Sequence, residues 1–273
     1  MIRPLLGALA LALGFIAPSV HAADDVGALL DRAIAGDHRE DENRARDAHR
    51  HPKETLLFFG LRPDMTVVEI YPSAGWFTEI IAPVVREHGR LYAARFAVSW
   101  DKAPPFLKKR DERFLAKLAA RPDVYGSVTP TEIMAPLFVD AAPKGSADLV
   151  LTFRNVHNWA KAGNAEAMFQ TFHDLLKPGG VLGVEEHRAK PGTPVEQQIA
   201  TGYMTEQFVI DAAVKAGFRL VGKAEINANP KDTKDYPDGV WTLPPTLKLG
   251  DQDRARFLAI GESDRMTLKF VKP

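Results

Sequence analysis

From Met65 onward the chain alternates short, β-branched apolar runs with amphipathic helical segments, and that alternation leaves few folds open. Thr66 to Tyr71, Arg90 to Val98 and Ala147 to Phe153 are runs of strand length. Further strands are expected at Val181 to Glu185 and Phe218 to Ile226, with a weak one at Val124 to Thr129. Between them, Gly75 to Glu87, Pro105 to Ala120, Ala165 to Leu176 and a segment capped by Thr205 carry apolar residues at helical spacing. Strand–helix–strand units of this size build a parallel sheet covered by helices on both faces through right-handed crossovers. The ending departs from that rule. Met266, Leu268 and Phe270 alternate with Thr267, Lys269 and Val271, and only a short helix, Asp251 to Ile260, precedes them. A strand returning without a long crossover is expected antiparallel, beside its predecessor.

The regions outside this alternation are polar or specialised. Arg3, the uncharged run Leu5 to Ala17, the break at Pro18-Ser19 and the small residues around Ala22 have the layout of a secretory signal peptide. The run is shorter than the ~20 residues of a membrane span, so a permanent membrane anchor is not expected. Localisation in the periplasm or outside the cell, after cleavage near Ala22, is the expectation. Residues 23–62 read as an N-terminal helical extension, with Pro52 opening and Gly60 closing its last helix. Within it, Asp37 to Arg50 mixes dense charges of both signs and reads as a solvated helical face or loop, or as a cover over a pocket. Residues 63–273 form the α/β domain, with a polar loop insertion at about 227–250. In that insertion, Asn227 to Asp235 is rich in turn-formers and reads as a well-hydrogen-bonded surface loop, or as a lid that brings Asn227, Asn229 and Lys231 over the pocket.

Composition narrows the partners. The chain has 35 basic and 35 acidic side chains, so nothing marks a phosphate-tracking surface and no nucleic-acid partner is expected. It has no Cys, which excludes disulfides, thiol nucleophiles and thiolate metal sites.

In an open parallel sheet, ligands sit beyond the carboxyl ends of the central strands. The first strand runs into Glu69-Ile70-Tyr71-Pro72-Ser73-Ala74-Gly75, a strand-to-helix turn whose small residues admit a ligand to the backbone. The stretch from Val67 to Thr78 resembles motif I of the class I S-adenosylmethionine (SAM)-dependent methyltransferases. Ser146 to Trp159, Leu176 to Val184 and Asn227 to Asp235 strengthen the likeness. It is nearest to a bacterial group of predicted methyltransferases that often carry signal peptides. The resemblance spans nearly the whole chain after residue 22. It implies a Rossmann-like doubly wound α/β sheet of seven strands, the last antiparallel, with S-adenosyl-L-methionine as cofactor and a small molecule as substrate.

The implied cofactor-binding candidates are Glu69, Tyr71, Ser73, Ala74, Gly75, Arg95 and Asn155. Two positions depart from the family pattern. Tyr71 and Ser73 stand where glycines are common, so Tyr71 would narrow the cleft or stack on a ligand. The second strand ends in Arg95-Phe96, where an acid usually holds the ribose hydroxyls, and Arg cannot accept a hydrogen bond. The catalytic candidates are His157, Asn158 and His187, on the loops after the fourth and fifth strands, with His157 favoured as base. Two other functions stay open: a binding protein on the same fold that has lost SAM, and a metal-assisted enzyme. The second would use His157, Glu185, Glu186 and His187 with Asp232 or Asp235, although no compact metal motif is present and no metal is expected.

Overall fold

The computed structural model describes residues 21–273, with side chains from Val26. The expected signal segment, residues 1–22, lies outside the described residues except for its last two. Among the described residues no helix is long and apolar enough to cross a membrane.

Four helices open the chain: α1 (His21–Ile34), α2 (Asp41–Arg44), α3 (Asp47–Arg50) and α4 (Pro52–Phe59). Then follow β1 (Thr66–Ile70), α5 (Thr78–Val85), β2 (Arg90–Phe96), α6 (Pro105–Ala120), α7 (Pro122–Tyr125) and β3 (Val128–Ile133). The second half comprises β4 (Ala147–Phe153), α8 (Val156–Ala162), α9 (Ala165–Leu175), β5 (Leu176–His187), α10 (Val195–Thr201), α11 (Glu206–Lys215), β6 (Arg219–Ala224), α12 (Arg254–Ile260) and β7 (Arg265–Val271). A 3-10 turn, Gly239–Thr242, lies between β6 and α12.

The seven strands form one sheet in the order β3-β2-β1-β4-β5-β7-β6. All neighbours are parallel except β7, which lies between β5 and β6 and runs antiparallel to both. This is the Rossmann-like class I methyltransferase architecture. Strand alternation divides the core in two. Val68, Ile70, Val150, Leu182, Val184 and Leu268 face α8, α9 and α11, while Val67, Leu91, Leu149 and Leu151 face α1, α4 and α5. Burial on both faces is what makes these strands nearly continuous apolar runs.

Some local expectations change. The weak strand lies four residues later than predicted, because Pro122 starts the short helix α7. Pro130 is tolerated in β3 because this is an edge strand. The helix after β1 begins at Thr78 rather than Gly75. Residues expected on a loop after β4 instead open α8, which Gly163 closes in the left-handed region at φ 70°.

The charged stretch 37–50 is only partly solvated. Arg39 and Arg50 are buried, and their guanidiniums lie over the Trp76 ring, 5.2 and 4.6 Å from its centroid. Trp76 Nε1 donates to the Asn43 carbonyl at 3.0 Å, fastening the segment over the first β-α turn.

Candidate functional site

The chain moves outward from β1 to β2 and β3, then returns to β4 on the other side of β1, so a crevice opens between the carboxyl ends of β1 and β4. A cavity of about 860 Å³ occupies that place. Its floor is Glu69 and Tyr71 from the end of β1 with Phe153, Arg154 and Asn155 from the end of β4. Backbone strain gathers there: Tyr71, Ser73 and Arg154 have φ values of 51°, 59° and 59°, a conformation costly for side-chain-bearing residues.

Of the cofactor-binding candidates, Glu69, Tyr71, Ser73 and Asn155 line the cavity. Glu69 is buried and accepts from Thr78 Oγ1 at 2.5 Å. Burial, reinforced by nearby Glu79, pushes its carboxyl up to about 7 against the Thr78 bond. Tyr71 packs edge-on against Trp159, with centroids 5.9 Å apart, and beside Phe96 at 5.8 Å. Burial raises its phenol, which stays neutral. Asn155 Nδ2 donates to the Ile70 carbonyl at 3.1 Å and to Thr152 Oγ1 at 3.2 Å, tying β4 to β1.

Ala74, Gly75 and Arg95 are not on the wall of this cavity. Gly75 shapes the turn from behind: its φ is 84°, and a Cβ there would meet Phe114 Cε2 at 2.9 Å. Arg95 pairs with Asp111 of α6 at 2.5 Å and borders a side pocket of about 30 Å³.

All three catalytic candidates reach the cavity. His157 and Asn158 sit in the first turn of α8, and His187 ends β5. The organiser is Glu186, named from the sequence only as a metal-ligand candidate and here fully buried. Its Oε2 accepts from the backbone nitrogens of Val156 at 2.5 Å and His157 at 3.3 Å. Its Oε1 accepts from the His187 nitrogen at 2.8 Å and meets His157 Nδ1 at 3.1 Å. With Nδ1 donating to this carboxylate, Nε2 is the ring atom that can accept a proton. His187 Nδ1 lies 2.6 Å from Ser263 Oγ, and the two imidazole rings are 5.5 Å apart. Burial, then His157 and the surrounding arginines, holds His187 well below its ordinary value, so it is neutral at pH 7.

His157, Glu186 and His187 also place one ligand atom each within 4.8 Å of one another. Their setting does not suit a cation, because Glu186 is already occupied by four N–H groups and Arg50, Arg154 and Arg265 lie close by. Asp232 does not join them. It is buried under Tyr203 and the Asp264 nitrogen, while Asp235 is exposed and bound to Thr233.

The expected lid is an anchor. Asn227 Nδ2 bonds Thr55 Oγ1 at 2.9 Å, and Asn229 Nδ2 bonds the Ile260 and Glu262 carbonyls at 2.9 and 2.7 Å. Neither residue, nor Lys231, lines the cavity. The later part of the same insertion does, through Val240, Trp241, Pro244 and Pro245. Trp241 stands edge-on to His157 at 6.0 Å.

Asn164 was not singled out by its sequence context. It lines the cavity beside Met134 and Ala135, its Nδ2 donates to the Ala135 carbonyl at 2.9 Å, and its buried Oδ1 has no partner. An orphaned acceptor in an apolar slot awaits a ligand donor. Together with the space between β1 and β4, it suits the amino-bearing face of a purine. The polar set therefore fits an adenosyl ligand, except that the end of β2 offers no free carboxylate to ribose.

No protein-family model and no curated protein matches the sequence. Solved structures do match in fold. One is a SAM-dependent methyltransferase from Aquifex aeolicus, 15% identical over 84% of this chain and 93% of that one, with a TM-score of 0.55. Another is geranyl diphosphate C-methyltransferase from Streptomyces coelicolor A3(2), 12% identical over 94% and 100% of the two chains, at 0.54. A third is the [4+2]-cyclase SpnF, 13% identical over 91% and 93%, at 0.55. The likeness is one of fold, and a fold does not by itself fix a reaction.

Proposed function

We propose that the protein is an exported SAM-dependent methyltransferase acting on a small molecule, of the kind found in the signal-bearing bacterial group. The observation that carries this reading is the cavity at the β1–β4 switch point, which is lined by Glu69, Asn155 and His157, with Glu186 behind the imidazole. Asn164 with Met134 and Ala135 would hold the base of the cofactor, and Glu69 with the strained Tyr71–Ser73 backbone would hold its amino-acid end. Bound SAM supplies a methyl group on a sulfonium, open to in-line attack. His157 Nε2 takes the proton of the attacking acceptor atom, and Glu186 stabilises the imidazolium that results. Asn158, exposed on the same turn, orients the acceptor. Trp241 and Val240 limit water above the imidazole.

Calorimetric titration of SAM and S-adenosylhomocysteine into the purified protein tests the reading, with saturable micromolar binding expected. His157→Gln should leave that affinity unchanged and lower turnover by about 10²–10⁴ once an acceptor is in hand. Export is checked by the mass of the protein recovered outside the cytoplasm, which should begin at Ala23.

The Arg95–Asp111 pair favours a second reading, a methyltransferase-fold binding protein without SAM, because it removes the carboxylate that ribose would need. Failure of both adenosyl ligands to bind folded protein would select it.

A further inference from the structure

One wall of the cavity gathers more guanidiniums than ion-paired carboxylates. Arg46, Arg50 and Arg154 line it, with Arg265 directly behind. Glu262 receives Arg46 Nε at 2.6 Å, Arg50 Nε at 3.3 Å and Arg265 Nη1 at 3.2 Å. Glu185 receives Arg154 Nη1 at 2.8 Å and Arg265 Nη1 at 3.1 Å. Four guanidiniums thus share two carboxylates.

Several donors are left over. Arg46 Nη2 is buried without a partner. Arg50 is only 5% exposed, and its one hydrogen bond among the described residues is the 3.3 Å contact to Glu262. Burial and then the neighbouring Arg154 hold the Arg50 guanidinium well below its ordinary range, which reports the same excess. Uncompensated buried charge is costly, and forked guanidinium donors match carboxylate and phosphate oxygens. The wall also adjoins the proposed base: Arg154 and Arg50 are among the cations that act on His187, whose ring neighbours His157. The cavity also has apolar lining, Trp100, Leu107 and Met134 with Phe106 and Leu137, the last two both 67% exposed, along with Arg110 of α6.

We propose that this cationic wall is the acceptor subsite, and that the substrate is an amphipathic anion whose carboxylate or phosphate group is bound by Arg46, Arg50 and Arg154. Calling the ligand the acceptor rests on the methyltransferase reading, while the anion site stands on the charge balance alone. The same chemistry could serve the amino-acid carboxylate of the cofactor, so the test separates the two sources.

Octyl phosphate and octanoate, with octanol as neutral control, are titrated calorimetrically into wild-type protein, Arg46→Gln and Arg50→Gln, and S-adenosylhomocysteine is titrated into each. The expected result is saturable oxyanion binding that weakens at higher salt, no octanol binding at matched concentration, and about tenfold or greater weakening in each variant. S-adenosylhomocysteine affinity should not change. Absence of oxyanion binding to folded wild type, or oxyanion affinity in both variants equal to that of wild type, overturns the proposal. A parallel loss of S-adenosylhomocysteine affinity overturns it too, since the arginines would then serve the cofactor. Oxyanion binding with no S-adenosylhomocysteine binding to wild type sinks the methyltransferase reading and keeps the anion site. Circular dichroism checks each variant; if Arg50→Gln unfolds, the partly exposed Arg46 and the salt dependence of wild type carry the test.

Discussion

Segment 37–50 feeds two buried ionic clusters, and they differ in how completely they are satisfied. In the first, Arg39 and Lys117 meet Asp47 and Glu79, two cations with two anions. Both Glu79 oxygens are engaged, by Asn43 at 3.0 and 3.2 Å, Lys117 at 2.5 Å and Arg39 at 3.5 Å. This cluster lies away from the cavity. The second, around Glu262 and Glu185, has twice as many cations as anions and faces the cavity. Glu185 Oε2, Arg265 Nε and Arg46 Nη2 in it lack hydrogen-bond partners, against Arg39 Nε alone in the first. A charge-balanced network holds a fold together. An unbalanced one beside a cavity retains interactions to offer a ligand.

The largest test of that contrast is Glu79→Ala. It leaves Arg39 and Lys117 short of an anion in a buried setting, and should cost about 3–5 kcal/mol in chemical denaturation. Oxyanion binding by the surviving folded protein should be unaffected; a loss there would erase the distinction between the clusters.

Acid titration comes next. Burial would raise Glu262, but Arg50, Arg265 and Arg46 prevail and hold it at about 2, against an ordinary 4.5. Its contribution, on the order of 3 kcal/mol, is therefore complete above about pH 4.5 and lost as pH falls towards 2. Glu69 acts with the opposite sign. Raised by burial to about 7, it favours the folded state when protonated, so its effect erodes stability as pH rises from about 4.5 through 7. Glu69→Gln should flatten that upper limb and leave the acid limb in place, as read from denaturation midpoints across pH.

A smaller effect is expected for Gly75→Ala, which sets a Cβ against Phe114 in the left-handed region just before Trp76 and Glu79. It should lower stability by about 2 kcal/mol with S-adenosylhomocysteine affinity unchanged, because Gly75 shapes the turn without lining the cavity. The smallest change in stability, within about 1 kcal/mol, is expected for Arg50→Gln, since losing a partner of Glu262 is offset by relief from Arg46, Arg154 and Arg265. A cost as large as that of Glu79→Ala would show that the second cluster is scaffold as well.

The strands and most long helices were legible because their signal is local. A continuous apolar run of strand length gave β4 at its observed bounds, and Thr205 capped α11 as expected, accepting from the Phe208 nitrogen at 3.2 Å. Seven of the ten candidate site residues also line one cavity, since the carboxyl ends of the central strands converge in any open α/β sheet. Arg46, Arg50 and Asn164 escaped notice, and Asn227 and Asn229 were given a lid's role, because polarity in a sequence does not say whether water or a partner will satisfy it.

The sequence by itself determined the α/β alternation, the antiparallel return of β7 and the strand ends where a ligand would sit, all consequences of neighbouring residues and chain connectivity. Only the tertiary structure decided which charges meet. Arg46 and Glu262 are 216 residues apart and 2.6 Å from one another, a pairing that exists only once the sheet has brought both ends of the chain to the same wall.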